Sequence, residues 1–179
     1  MNRPFTVGPF VVVSKDHRLT SAYRSPWADR EWGIHPDALA AFTTMATDAR
    51  AEGLTLKVRS GYRSYAEQAA SFNRAMQTYD EATARKYFAE PGASEHQTGL
   101  ALDAWDGVNR GYAFTATREA AWLGEHAHEY GFILRYPEGK SAITGYAYES
   151  WHLRWIGAEY AQYFTPESAL TLEEFLGLA

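Results

Sequence analysis

The sequence predicts a single α+β domain, and three observations carry that expectation. The chain has 179 residues, within the usual span of roughly 100 to 200 residues per domain, and is long enough to bury a hydrophobic core. No repeat, low-complexity tract or linker-like stretch divides it, so residues 1–179 read as one unit. Helical patterns come mainly early and late, while strand patterns sit mostly in the later half. That order favours α+β over a doubly wound parallel sheet.

Phe10 to Val13 reads as a short strand, followed by an irregular, proline-punctuated segment from Ser14 to Pro36. The first helix runs from about Asp37 to Ala51, because Leu39, Phe42, Met45, Ala46 and Ala49 recur at helical spacing and Gly53 stops it. Leu54 to Val58 alternates as a strand does and leads into RSGYRS at Arg59 to Ser64. Ser64 opens SYAE, a capping box in which its hydroxyl and the Glu67 side chain satisfy free amides of a helix ending near Thr78. A second short helix covers Glu81 to Phe88 until Pro91 and Gly92 break it. Thr98 to Trp105 reads as a strand and Thr117 to Tyr130 as a helix closed by Gly131. Phe132 to Tyr136 and Ser150 to Ile156 read as strands, and the residues from Ala158 onward as short outer helices.

Composition removes several classes of function. The formal net charge is −5, acids and bases are interspersed, and no run of Lys or Arg suits a phosphate backbone, so nucleic acid is not expected as a partner. The longest apolar run, FVVV at Phe10 to Val13, is far too short to cross a bilayer, and the N-terminus lacks the basic-then-apolar pattern of a signal peptide. No membrane span is expected, and the chain reads either as cytoplasmic or as the mature part of an exported protein. With 0 Cys, disulfides and thiolate ligands are excluded, and a metal site must use His and carboxylate. Aromatic residues make up 15% of the chain and suit both a core and a walled pocket.

There are 6 histidines. His126 and His128 are two apart on an expected helix, cannot share a face, and are assigned to its solvated surface. His35 precedes Pro36 at a helix start and is assigned a turn role, while His17 sits in a loop. His96 and His152 have acids nearby. Strict alternation would not bring His96 and Asp103 together across seven residues, but Gly99 lets the chain bend between them so that both converge. In YESWHLRW, His152 offers a third ligand, with Glu149 three residues earlier. Two His and one carboxylate leave one position of a tetrahedral zinc open, as in catalytic sites, and a free carboxylate beside it serves metal-assisted hydrolysis. On spacing alone the same residues also read as a loop histidine, an ion-pair partner and a surface glutamate, and the stronger HExxH signal is missing.

Three blocks resemble a known family. RSGYRSYAEQ at Arg59 to Gln68, SEHQTGLALD at Ser94 to Asp103 and ESWHLRWIG at Glu149 to Gly157 resemble, in order, the signature blocks of VanY-type D-alanyl-D-alanine carboxypeptidases. These are zinc peptidases grouped with lysostaphin-like enzymes and the hedgehog domain. The resemblance reaches from about Val11 to Gly157 and implies a small α+β domain with a central antiparallel sheet, one face of which carries the metal. It implies one zinc per chain on His96, Asp103 and His152, with Glu149 as catalytic base. Arg63 is implied to face the substrate carbonyl and stabilise the tetrahedral intermediate, and Gln68 and Ser94 to contact the peptide. The implied reaction removes C-terminal D-alanine from peptidoglycan stem peptides, as a D,D-enzyme on pentapeptides or an L,D-enzyme on tetrapeptides. Glu149 would activate the water, and zinc with Arg63 would hold the oxyanion.

A carboxypeptidase also needs a cationic or amide-rich end to its cleft. Arg59, Arg63 and Ser94 are candidates for it, and Arg59 reads equally as a strand residue reaching solvent. Ser150 stands where many family members carry proline, which leaves the approach to Glu149 less stiff. The alternatives are an endopeptidase cutting inside the stem peptide and a noncatalytic zinc-stabilised module that binds the cell wall. Glu149 speaks against the second, since a binding module has no use for a base beside the metal. The expected protein is a monomer acting on the extracytoplasmic side, in cell wall or periplasm, where its substrate lies.

Overall fold

The computed structural model describes residues 3–179. The chain opens with a hairpin of β1 (Thr6–Val7) and β2 (Phe10–Val11). The strand expected over Phe10 to Val13 leaves the ladder early, and Val12 and Val13 are instead buried as core residues. α1 (Pro36–Ala51) begins with proline at its first position, where no amide needs a partner. His35 caps it: its Nδ1 accepts the Asp37 N–H at 3.1 Å, and its ring packs against Trp27 and Trp155. This is the turn role the sequence predicts.

β3 (Lys57–Ser60), α2 (Tyr65–Thr78) and α3 (Glu81–Tyr87) follow. The capping box at Ser64 and Glu67 forms as expected. The strand expected over Thr98 to Trp105 is shorter, because Glu95–Thr98 forms a 3-10 turn and β4 covers only Ala101–Trp105. The Thr98 hydroxyl donates to the Glu95 carbonyl and accepts the Leu100 N–H, local bonds that compete with sheet pairing.

α4 (Tyr112–Thr115) precedes α5 (Arg118–His126), which tightens into a 3-10 turn over Ala127–Tyr130 before Gly131. His126 thus ends α5 and His128 lies in the 3-10 turn, so the two do not sit on the solvated surface of one helix as expected. Both are partly buried, and His126 packs on Trp122 with ring centroids 4.6 Å apart. The chain ends with β5 (Phe132–Leu134), α6 (Ser141–Thr144), β6 (His152–Trp155), α7 (Ala158–Ala161) and α8 (Leu172–Phe175).

The central sheet has the order β3-β4-β6-β5 and every neighbouring pair is antiparallel, so the α+β architecture holds. Leu102, Ala104, Leu153 and Phe132 pack on Phe42 and Met45 of α1 and Leu123 of α5. Side chains alternate along a strand, so Asp103 and His152 point to the opposite face. Part of that face is covered by a second cluster joining Phe10, Ile133, Ile156, Ala161 and Leu172. Among the described residues no helix is long and apolar enough to cross a membrane.

Candidate active site

β4 and β6 set Asp103 and His152 directly opposite each other, the closest approach two strands offer. His96 reaches the same point from the 3-10 turn. Gly99 makes that approach by taking φ +73°, and a Cβ there would lie 2.7 Å from both the Gly33 carbonyl oxygen and Ser25 Oγ. Only glycine fits this bend. His96 Nδ1 lies 2.6 Å from the Gly61 carbonyl oxygen. A carbonyl can only accept, so Nδ1 carries the proton and Nε2 presents its lone pair to the site.

His96 Nε2 lies 3.3 Å and His152 Nδ1 3.4 Å from Asp103 Oδ1. All three residues are buried, and their donor atoms lie within 4.8 Å of one another. Among the described residues Asp103 Oδ1 has no hydrogen-bond partner. Bonds of roughly 2.0–2.1 Å to a tetrahedral zinc place neighbouring donors ~3.4 Å apart, so the spacing, the donor types and the orphaned oxygen fit zinc. Burial opposes ionisation of Asp103, but the two imidazoles hold it well below the usual carboxylate range. Burial pushes His96 down toward the neutral form that metals bind.

Two glutamates flank His152. Glu149 Oε2 lies 3.7 Å from Nδ1, and burial, aided by the Asp103 charge, raises its pKa to about 7. Its turn is tied down, since the Glu149 N–H donates to the Tyr136 carbonyl at 3.1 Å. The fully buried Ser150 hydroxyl lies 2.9 Å from Thr115 Oγ1. A hydrogen bond thus holds the segment where proline's stiffness was missing from the sequence.

On the other side, Glu95 Oε2 lies 3.6 Å from His152 Nε2. Glu95 is fully buried, and its Oε1 accepts from Arg135 at 2.8 Å and Arg154 at 2.7 Å. Arg135 also forks onto Glu173, and Arg154 donates to the Val11 carbonyl. Burial opposes the charge on Glu95, yet the two arginines hold it far below the usual carboxylate range. Burial likewise opposes charge on His152, but Asp103 and Glu95 raise its pKa to about 9. Sequence reasoning missed this cluster. The available signal was a charged residue inside otherwise buried apolar runs, at Arg135 in FILRY and Arg154 in WHLRW.

Arg63 approaches from the loop before α2. Its guanidinium donates to Gln68 Oε1 at 2.7 Å and to Ser60 Oγ at 3.2 Å, and lies 3.9 Å from Asp103 Oδ2. Gln68 is buried, and its amide nitrogen donates to the Ala89 carbonyl at 2.6 Å. Ser94, 4% exposed, lines the same cleft as Arg59, Arg63, Gln68 and the ligand set. The structure therefore brings together every residue the sequence nominated for the site.

A family profile described as VanY, D-alanyl-D-alanine carboxypeptidase, matches residues 31–158. The chain belongs to this family. The VanY-family chain is 42% identical over 145 residues to the putative carboxypeptidase YodJ of Bacillus subtilis (strain 168), a match covering 79% of this chain and 53% of YodJ. It thus spans about half the length of that relative. The solved structure of the LdcB LD-carboxypeptidase, described as revealing the basis of peptidoglycan recognition, matches with a TM-score of 0.80 at 35% identity, covering 94% of this chain and 86% of that one. A glutamate-to-alanine variant of the vancomycin-resistance D,D-pentapeptidase VanY, in complex with Zn(II), matches with a TM-score of 0.77 at 31% identity, covering 93% and 97%. The VanY-family fold and the His–Asp–His set thus agree with a relative that binds zinc.

Proposed function

We propose that this domain is a zinc metallocarboxypeptidase that removes C-terminal D-alanine from peptidoglycan stem peptides. The observation that carries the reading is Glu149, a half-buried carboxylate whose pKa is raised to about 7, beside a ligand set that fits zinc. One zinc held by His96, Asp103 and His152 would supply Lewis acidity, making a water nucleophilic near neutral pH and polarising the scissile carbonyl.

The chain's own residues do the rest. Glu149 takes a proton from the attacking water and returns it to the leaving amine, work that needs a carboxylate titrating near the operating pH. Glu95, locked in its charged state by two arginines, cannot exchange a proton in this way. Arg63 offers N–H groups to the substrate oxygen as negative charge builds on it. Gln68 and Ser60 hold that guanidinium in place, and Gln68 and Ser94 line the substrate's path. Relatives named as D,D- and L,D-enzymes support the substrate class. Action outside the cytoplasmic membrane goes with a peptidoglycan substrate.

The test is release of D-alanine from two synthetic stem peptides, one ending in D-Ala-D-Ala and one in a single D-Ala after the diamino acid. Each is assayed untreated, with a chelator, and with zinc restored. Chelator-sensitive release from either peptide supports the reading and separates D,D from L,D activity. Absence of release from both, in protein that holds zinc, would refute it.

A further inference from the structure

The cleft has a volume of about 800 Å³, near the upper end of the roughly 300–1,000 Å³ usual for ligand sites. Besides Arg63, three arginines from separate elements line it: Arg59 of β3, Arg74 of α2 and Arg110 from the segment between β4 and α4. Arg59 is the extra residue of a β-bulge, since Val58 pairs with Ala104 and Ser60 already with Asp103. Such bulges re-aim a side chain beside active sites, and here the bulge lets Arg59 and Ser60 both line the cleft. Arg74 continues the stripe of α2 that begins with Glu67 and Ser71, also in the lining, and sits about 10 Å along the axis from Glu67. The Arg110 guanidinium lies 5.8 Å from the centroid of the Trp105 ring.

Elsewhere in the fold Arg18, Arg24, Arg85, Arg135 and Arg154 each pair with a carboxylate, while among the described residues Arg30, Arg50 and Arg118 do not. Among the described residues Arg59, Arg74 and Arg110 have no carboxylate within ion-pair distance. Of the acids in the lining, Asp103 and Glu149 belong to the catalytic group, and Glu67 is engaged by the Ser64 N–H and hydroxyl. In a chain of formal net charge −5, the lining thus carries Arg59, Arg74 and Arg110 against one carboxylate outside the catalytic group, Glu67.

We infer that Arg59, Arg74 and Arg110 form a subsite for a free carboxylate on the amino-terminal side of the scissile bond, the only direction in which a carboxypeptidase substrate extends beyond one residue. Arg59 is thereby moved from the C-terminal carboxylate to this subsite. This rests on the stem-peptide reading above. A guanidinium fork grips a carboxylate through two parallel N–H···O bonds, whereas a carboxamide offers one oxygen and no charge. In a stem peptide such a carboxylate comes from the side-chain-linked glutamate or from the diamino acid.

The experiment titrates zinc-loaded Glu149→Ala protein, zinc content verified, with three synthetic pentapeptides by calorimetry. One peptide has both carboxylates free, one has only the glutamate carboxylate amidated, and one only the diamino-acid carboxylate amidated. The same titrations are repeated in a protein that also carries Arg59→Gln, Arg74→Gln and Arg110→Gln. One amidation should weaken binding roughly three- to tenfold and so name the source. Added salt should shrink the difference, and the triple change should abolish it. Equal affinity for all three peptides, or discrimination that survives the triple change, would overturn the subsite alone. Failure of every peptide to bind would overturn the subsite together with the stem-peptide reading.

Discussion

Glu95 and Glu149 stand on opposite sides of the His152 ring, 3.6 Å from Nε2 and 3.7 Å from Nδ1, in surroundings that treat a carboxylate in opposite ways. Behind the ring, Arg135 and Arg154 surround Glu95 with hydrogen-bonded positive charge and keep it ionised. In front, Glu149 has no guanidinium within hydrogen-bonding distance among the described residues, and burial raises its pKa to about 7. The same residue type therefore serves as a fixed charge in one place and as a proton carrier in the other. The difference lies in what was built around each, and a catalytic carboxylate is recognised by what it lacks.

Removing the front carboxylate should have the largest effect. Glu149→Ala should lower D-alanine release ~10²- to 10⁴-fold or more, the range for loss of a general acid–base, while metal analysis still finds zinc. Retained turnover would reassign the base. Removing the rear charge should act on the fold instead. Glu95→Gln leaves two buried guanidinium groups short of a counter-charge and should cost about 3–5 kcal/mol of stability in urea unfolding. It should also weaken zinc affinity roughly 10- to 100-fold, because Glu95 faces the outer nitrogen of a ligand histidine. A Glu95→Gln protein as stable as the parent would erase the contrast between the two sides.

The contrast also has a pH signature. The folded-state pKa of Glu149 lies above its ordinary value of 4.5, so its contribution to stability is complete below 4.5 and is lost as pH rises through about 7. In zinc-stripped protein, Glu149→Gln should therefore gain on the parent over that interval in urea titrations. A stability difference that stays flat with pH would show that burial does not govern this carboxylate.

The front of the site was legible in the sequence and the rear was not, for a physical reason. His96, Gly99, Asp103, Glu149 and His152 lie in two short blocks where spacing, a glycine and a family resemblance converge, and the bend at Gly99 is where the sequence required one. Glu95 meets Arg135 and Arg154 across 40 and 59 residues, and no local pattern encodes such pairings. Strand ends failed for a related reason. Thr98 looks like a strand residue in TGLALDAW, yet its hydroxyl bonds close a 3-10 turn. The order of elements nevertheless sufficed for the α+β class, since it depends on periodicity and not on boundaries.

Arg63 lies between these extremes, because it is partly exposed and still held by named partners. Arg63→Lys keeps the charge but cannot reproduce the fork that reaches Gln68 and Ser60 together, and turnover should fall roughly 10- to 100-fold. An unaffected rate would reassign the arginine. Gln68→Ala should act less strongly, because it removes one of those anchors and leaves the guanidinium itself. Turnover should fall by less than about tenfold if Gln68 works chiefly through Arg63. In that case Gln68→Ala should add little to Arg63→Lys, since both changes disturb one group. If the two effects multiply instead, Gln68 meets the peptide directly, and its hydrogen bond to Arg63 gives way when substrate binds.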